Sequence, residues 1–199
     1  MALNIKNLGL TDYETCWRAM KAHIESNPNV DEIWLTEHYP IYTTGLNKKN
    51  SEIPKSSISH LYVDRGGKIT FHGPGQIIFY FLINLERNDL SIRQLVSGIE
   101  KSILIFLKKK EIIGALKKDA PGVYVNDKKI ASIGLRLKKG FTYHGVSLNV
   151  DMNLKPFLHI DPCGYKDLKM AQLKDYLPDI KSKNVENEVL EQFKIFLGQ

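Results

Sequence analysis

The sequence predicts an α+β fold, a mixed sheet flanked by helices. Three observations carry that prediction. Two segments show helix-capping signatures, and a third repeats apolar residues at every fourth position. Seven further segments have the length and apolar content of strands. These elements come as a helix, several strands, a helix, then more strands, and not as a regular strand–helix–strand alternation.

Taken in order, Thr11 and Glu14 in "TDYE" stand at capping-box spacing ahead of a helix carrying Cys16, Met20 and Ile24. Strands are expected at 32–37, 59–65, 68–72 and 76–85. The nearly unbroken apolar run at 77–83 suits a central strand covered on both faces. Ser91 and Gln94 repeat the capping signature, and their helix sets Ile92, Leu95, Ile99, Ile103 and Phe106 on one stripe. Strands are expected again at 122–126, 129–138 and 140–150, with Asn126-Asp127 at one turn and Gly140 at the next. Val185, Val189, Phe193 and Leu197 mark a last amphipathic helix that packs on the body. No repeat, low-complexity segment or linker interrupts the chain, so one domain over 1–199 is the simplest organisation.

Composition narrows the function classes. The longest apolar run, "IIFYFLINL" at 77–85, is too short to span a bilayer, so no membrane role is expected. The first residues lack a secretory or transit pattern, which points to a cytoplasmic protein. Two distant cysteines, Cys16 and Cys163, do not make a disulfide framework. The formal charge of +6 suggests either an acidic partner or simply a solvated basic surface. The lysines come in short surface clusters without the interleaved arginines and aromatics of a nucleic-acid reader, so no nucleic acid is expected.

Three segments can carry chemistry. In "RGGKITFHGPGQ" (65–76), paired glycines let backbone N–H groups approach a ligand, Arg65 can hold an anionic or carbonyl oxygen, and His72 can donate a hydrogen bond. The same pattern also fits a plain hairpin with a tight turn, and it is neither a P-loop nor a dinucleotide fingerprint. Lys129 begins an apolar strand after the "VND" turn. It is either a solvated hairpin lysine or, at the edge of an apolar cavity, a usable base. Cys163 lies between Pro162 and Gly164 in "HIDPCGY". It reads either as a small apolar residue beside a bend or as a nucleophile needing a histidine or lysine to activate it. No His/Cys pair has convincing metal-ligand spacing, so no metal is expected.

Several runs together resemble one family. "RGGKITFHGPGQIIFY" (65–80), "DAPGVYV" (119–125), "KIASIG" (129–134), "HGVSLNV" (144–150) and "PFLHIDPCGY" (156–165) are similar, in order and spacing, to the lipoyl(octanoyl) transferases. The resemblance covers about residues 30–175. It implies a fold like the biotin/lipoate protein ligase catalytic domain. It implies a Cys/Lys dyad of Cys163, the nucleophile, and Lys129, which keeps the thiol ionised and moves protons. It maps acyl-binding segments onto Arg65, Gly66, Gly67, Lys68, Ile69, Thr70, Phe71 and His72, onto Ser132, Ile133 and Gly134, and onto Gly145, Val146 and Ser147, with His144 in support. Tyr42, Phe71, Ile133 and Val146 are candidates to line an apolar tunnel for the acyl chain.

The implied reaction takes an octanoyl group from octanoyl-acyl carrier protein to a lysine ε-amine through a thioester on Cys163. The implied acceptors are lipoyl domains of 2-oxoacid dehydrogenase complexes and the glycine cleavage H protein, with no cofactor. Three other readings stay open: an ATP-using lipoate or biotin ligase, an amidotransferase acting between lipoyl domains, and a catalytically silent binding module.

Overall fold

A computed structural model describes residues 3–47, 52–118, 120–162 and 168–199. Strand β1 (Leu3–Thr11) leads through helix α1 (Tyr13–Glu25) into β2 (Asp31–His38), which pairs with β1 in parallel. The sequence pattern does not reveal β1. Its burial explains why: most of its residues are exposed or half-buried, so it carries no apolar strand signal. The cap of α1 falls one residue later than predicted. Asp12 accepts the Thr15 N–H at 2.8 Å, while Thr11 ends β1, where its hydroxyl lies 2.7 Å from that of Thr36.

The chain continues as β3 (Ile41–Thr44), β4 (Ser59–Tyr62), β5 (Ile69–His72) and β6 (Gln76–Leu82). Next come α2 (Ile92–Lys109), β7 (Ala115–Leu116), β8 (Gly122–Val125), β9 (Lys128–Lys138), β10 (Phe141–Asn149) and α3 (Ser182–Phe196). Seven strands form one sheet in the order β1-β2-β6-β10-β9-β8-β7. All its pairings but β1–β2 are antiparallel. A smaller sheet, β4-β3-β5, mixes one parallel and one antiparallel pair. The predicted strand at 59–65 stops at Tyr62, and β3 and β7 are too short to read from sequence.

Strand β6 is buried along its whole length, as its unbroken apolar run predicts. Its side chains alternate between two cores. Ile77, Phe79 and Phe81 join the core under α2 and α3, where Phe193 packs edge-on against Phe79 and Phe81. Ile78, Tyr80 and Leu82 face Cys16, Met20 and Ile24 of α1. Each such side chain removed from water stabilises the fold by about 1.5–3 kcal/mol before entropy is set against it. Ser91 and Gln94 cap α2 reciprocally, but Ile92 at its start is 37% exposed, outside the buried stripe predicted for it.

Two features of β8 to β10 position the site. The hairpins turn on Asn126-Asp127 (φ 48 and 62) and on Lys139-Gly140 (φ 52 and 79), two-residue turns that match the strand twist. Between them, Val123 pairs with Ala131 but Tyr124 pairs with Lys129, so Ile130 is an extra residue bulged out of β9.

Candidate active site

A narrow cavity of about 50 Å³ lies between the α1 side of the large sheet and β5 of the small one. Its walls come from four strands, the 65–68 loop and Tyr13 at the start of α1. Arg65, Gly67, Lys68, Ile69, Thr70, His72, Ser132, Ile133, Gly134, His144, Gly145, Val146 and Ser147 all border it. Three separated segments therefore meet at one hollow because β5, β9 and β10 bring them there.

Four of the described residues singled out from sequence do not line the cavity: Phe71, Tyr42, Gly66 and Lys129. Phe71 points the other way along β5 and packs with Tyr42 and Phe157 in a third core cluster, with Tyr42 fully buried beside it. The alternation of β5 makes this unavoidable, since Thr70 and His72 face the cavity. Gly66 serves packing: its N–H donates to the Leu135 carbonyl at 3.0 Å. The glycines of "RGG" thus let one backbone lie on another. A Cβ on Gly134 would stand 2.8 Å from the Gly66 carbonyl oxygen, and Gly67 holds φ +86. The Gly66 amide is spent on that contact and cannot bind a ligand oxygen.

Beneath the cavity runs a buried polar network. Arg65, 8% exposed, donates through Nη2 to the Thr43 carbonyl at 2.7 Å and through Nη1 to the Gly66 carbonyl at 2.9 Å. His72 Nδ1 lies 2.7 Å from Gln76 Oε1, and Gln76 Nε2 donates to Asn149 Oδ1. His72 Nδ1 is thus the donor, and its Nε2 accepts from Thr43. His38 Nδ1 faces the Thr11 carbonyl at 3.0 Å, and its Nε2 accepts from the Tyr80 hydroxyl at 2.7 Å. Burial holds His38 neutral, its pKa pushed down to about 4, and depresses His72 well below the ordinary imidazole value.

Asp64 anchors the other end. Its carboxylate accepts from Trp17 Nε1, Tyr143 OH and His144 Nε2 at 2.7–2.9 Å. Burial raises its pKa, but those three donors outweigh burial and hold the carboxyl below its usual range. Tyr143 and His144 are sequence neighbours, which a regular strand would send to opposite faces. His144 has φ 59, and this left-handed turn in mid-strand aims both side chains at one carboxylate. Burial outweighs the carboxylate's pull and lowers the His144 pKa, so the contact is a hydrogen bond from a neutral imidazole and not an ion pair.

Lys129 is 1% exposed. Its backbone is held on the side away from β8: its N–H donates to the Lys169 carbonyl, and its carbonyl accepts from Ala171, both at 2.9 Å. The side chain runs over Gly122, the residue paired with Ser132 of the cavity wall. A Cβ on Gly122 would stand 2.5 Å from Lys129 Cε and 3.2 Å from Nζ. The bulge at Ile130 thus delivers the amine to the face on which the cavity opens. Nζ also lies 5.4 Å from the Tyr124 ring centre.

The comparisons with known proteins agree on one assignment. The family model "Lipoyl protein ligase A/B catalytic domain" matches residues 12–194. The chain belongs to this lipoyl protein ligase A/B catalytic-domain family. Among relatives, it is 45% identical over 192 residues to an octanoyltransferase of Legionella pneumophila, covering 95% of this chain and 96% of that protein. Among solved structures, a bi-partite lipoate protein ligase from Thermoplasma acidophilum superposes with TM-score 0.79 at 14% identity, over 100% of this chain and 84% of that one. A biotin protein ligase from Aquifex aeolicus superposes with TM-score 0.63 at 18% identity, over 98% and 70%. At such identities the last two show the fold alone, and it is the fold that the sequence motifs implied.

Within this lipoyl ligase-type domain, Cys163 and its neighbour Gly164 lie outside the described residues. Cys16, the other thiol, sits on the buried side of α1 with its pKa pushed up to about 12 by burial, which keeps it protonated and unreactive. Sequence reasoning missed Tyr13, Asp64, Tyr80 and Gly122. Gly122 and Tyr80 carried a signal, since each lies inside one of the runs that resemble the family; Tyr13 and Asp64 lie outside those runs. No helix of the described residues is long and apolar enough to cross a membrane.

Proposed function

We propose that this chain is an octanoyltransferase of lipoate synthesis. It moves an octanoyl group from the thioester of an acyl carrier protein to the ε-amine of a lysine on lipoyl domains, those of 2-oxoacid dehydrogenase complexes and of the glycine cleavage H protein among them. The observation that carries this reading is the seat of Lys129, a buried amine laid over Gly122, whose strand partner Ser132 lines the cavity. The close likeness to an octanoyltransferase over nearly the whole chain supports it.

In this mechanism the Cys163 thiolate, stabilised by the Lys129 ammonium, attacks the thioester carbonyl. A carbon–sulfur bond forms, the carrier's phosphopantetheine sulfur leaves, and Lys129 gives it a proton. The acceptor amine then attacks the Cys163 thioester and passes its proton to neutral Lys129, and the Cys163 thiolate departs. Splitting the transfer this way gives ping-pong kinetics. A thioester is already activated, so the reaction needs no ATP. The cavity would hold the alkyl chain, with Ile78 and the rings of Tyr13 and Tyr80 supplying apolar wall, whereas Ile133 and Val146 turn their side chains to the core under α2 and α3. At about 0.8 kcal/mol per buried CH₂, chain length is read by burial, and one carbon more or less discriminates only modestly.

Intact mass spectrometry tests the reading. Mixed with octanoyl-carrier protein and no ATP, the wild type gains one octanoyl mass, Cys163→Ala gains none, and Lys129→Ala gains it far more slowly. Loading of free octanoate only when ATP is added, undisturbed by Cys163→Ala, would instead mark a ligase.

A further inference from the structure

A second, wider hollow lies at the other end of Lys129. Along β9, Ser132 lines the narrow cavity and Lys128 lines this groove, with Lys129 between them. The groove measures about 440 Å³, against about 50 Å³ for the cavity. Phe157, Leu158 and Met170 give it an apolar floor, and Lys128 and Lys169 stand on its rim. Leu158 is 82% exposed, an unusual position for a bare leucine. Lys128 and Lys169 are both exposed, and neither has an acidic partner among the described residues. Asp161 is the one acidic side chain among the described lining residues, so the cations outnumber it. The rim is also fixed to the catalytic strand, since the Lys169 carbonyl accepts the Lys129 N–H.

We propose that this groove binds the phosphopantetheine arm of the acyl donor, with Lys128 and Lys169 receiving its phosphate and the apolar floor its methyl-bearing chain. The inference rests on the octanoyl-transfer reading and names where the non-reacting part of that donor lies. Charge selects the donor over the acceptor as occupant. A donor arm brings an anion at its far end, whereas an acceptor brings a lysine, which the two rim lysines would repel. Position agrees: a thioester at Lys129 has its acyl chain toward Ser132 and its thiol arm toward Lys128.

The test compares two small donors, octanoyl-phosphopantetheine and octanoyl-pantetheine, in the wild type and in Lys128→Met/Lys169→Met, which keeps the aliphatic stems. The wild type should show a KM about tenfold lower for the phosphorylated donor, the size expected of two exposed charge contacts. The double variant should lose that difference with kcat and the acceptor KM unchanged. Equal KM values in the wild type, a parallel rise for both donors, or a rise in the acceptor KM instead would each overturn the proposal. Calorimetric titration of the same proteins with unacylated phosphopantetheine and pantetheine measures binding to the groove without turnover. Preferential, lysine-dependent binding of the phosphorylated arm supports the groove even if no octanoyl transfer occurs, a result that would count against the transfer reading alone. No preference between the two arms overturns it.

Discussion

Gly122→Ala is expected to slow acyl-enzyme formation by about 100-fold or more, the cost of moving a catalytic group by roughly an ångström. Gly122 holds φ +132, a backbone conformation that L side chains rarely adopt. A methyl group there would also stand 2.4 Å from the Ala131 carbonyl oxygen and 2.5 Å from Lys129 Cε. The backbone clash disturbs the β8–β9 ladder, and the side-chain clash drives the amine out of its seat. Single-turnover acylation, followed by mass, measures the loss. Because both changes act through one amine, the double variant Gly122→Ala/Lys129→Ala should be about as slow as Lys129→Ala alone. Additive losses, or a Gly122→Ala protein that acylates at the wild-type rate, would show that Gly122 does not position Lys129.

The second large effect is on stability in mild acid. The His38 imidazole is fully buried and its folded pKa lies near 4, against an unperturbed value of 6.5. A depressed folded value means that the unfolded chain takes up the proton first. Stability is therefore undiminished above pH 6.5 and is lost as pH falls from 6.5 toward 4. That drop corresponds to about 3 kcal/mol from His38 alone. His72 and His144, depressed in the same direction, add to the loss over the same window. Asp64 adds to it only below the ordinary carboxylate range, because its own folded value is depressed too. Urea midpoints should fall steeply between pH 6.5 and 4.5, and His38→Gln should flatten that slope. A midpoint constant over this window would contradict the buried-neutral assignment of these histidines.

How much of this is legible in the sequence depends on the kind of physics behind each feature. The stripe at Leu95, Ile99, Ile103 and Phe106, the Ser91–Gln94 cap and the apolar run of β6 follow from local periodicity and capping, and all are present. β1 escapes because an exposed edge strand has no apolar pattern to read. The segments around Arg65, Ser132 and Gly145 are legible as motifs, yet what each residue does there is not. Gly66 carries a backbone contact, and Phe71 belongs to another core. The Asp64 cluster is illegible because it joins residues from α1, a loop and β10, and because it depends on one left-handed residue, His144, in mid-strand. The bulge at Ile130 likewise decides where Lys129 points, and nothing in "KKIASIG" announces it.

The proposed chemistry stands on the Lys129 amine acting on the Cys163 sulfur, and the pH dependence of Cys163 alkylation by iodoacetamide, followed by intact mass, tests that most directly. The wild type should alkylate half-maximally well below the ordinary thiol value of about 8.5, and Lys129→Ala should return the midpoint to about that value. A wild-type midpoint already at the ordinary value and unmoved by Lys129→Ala would contradict it.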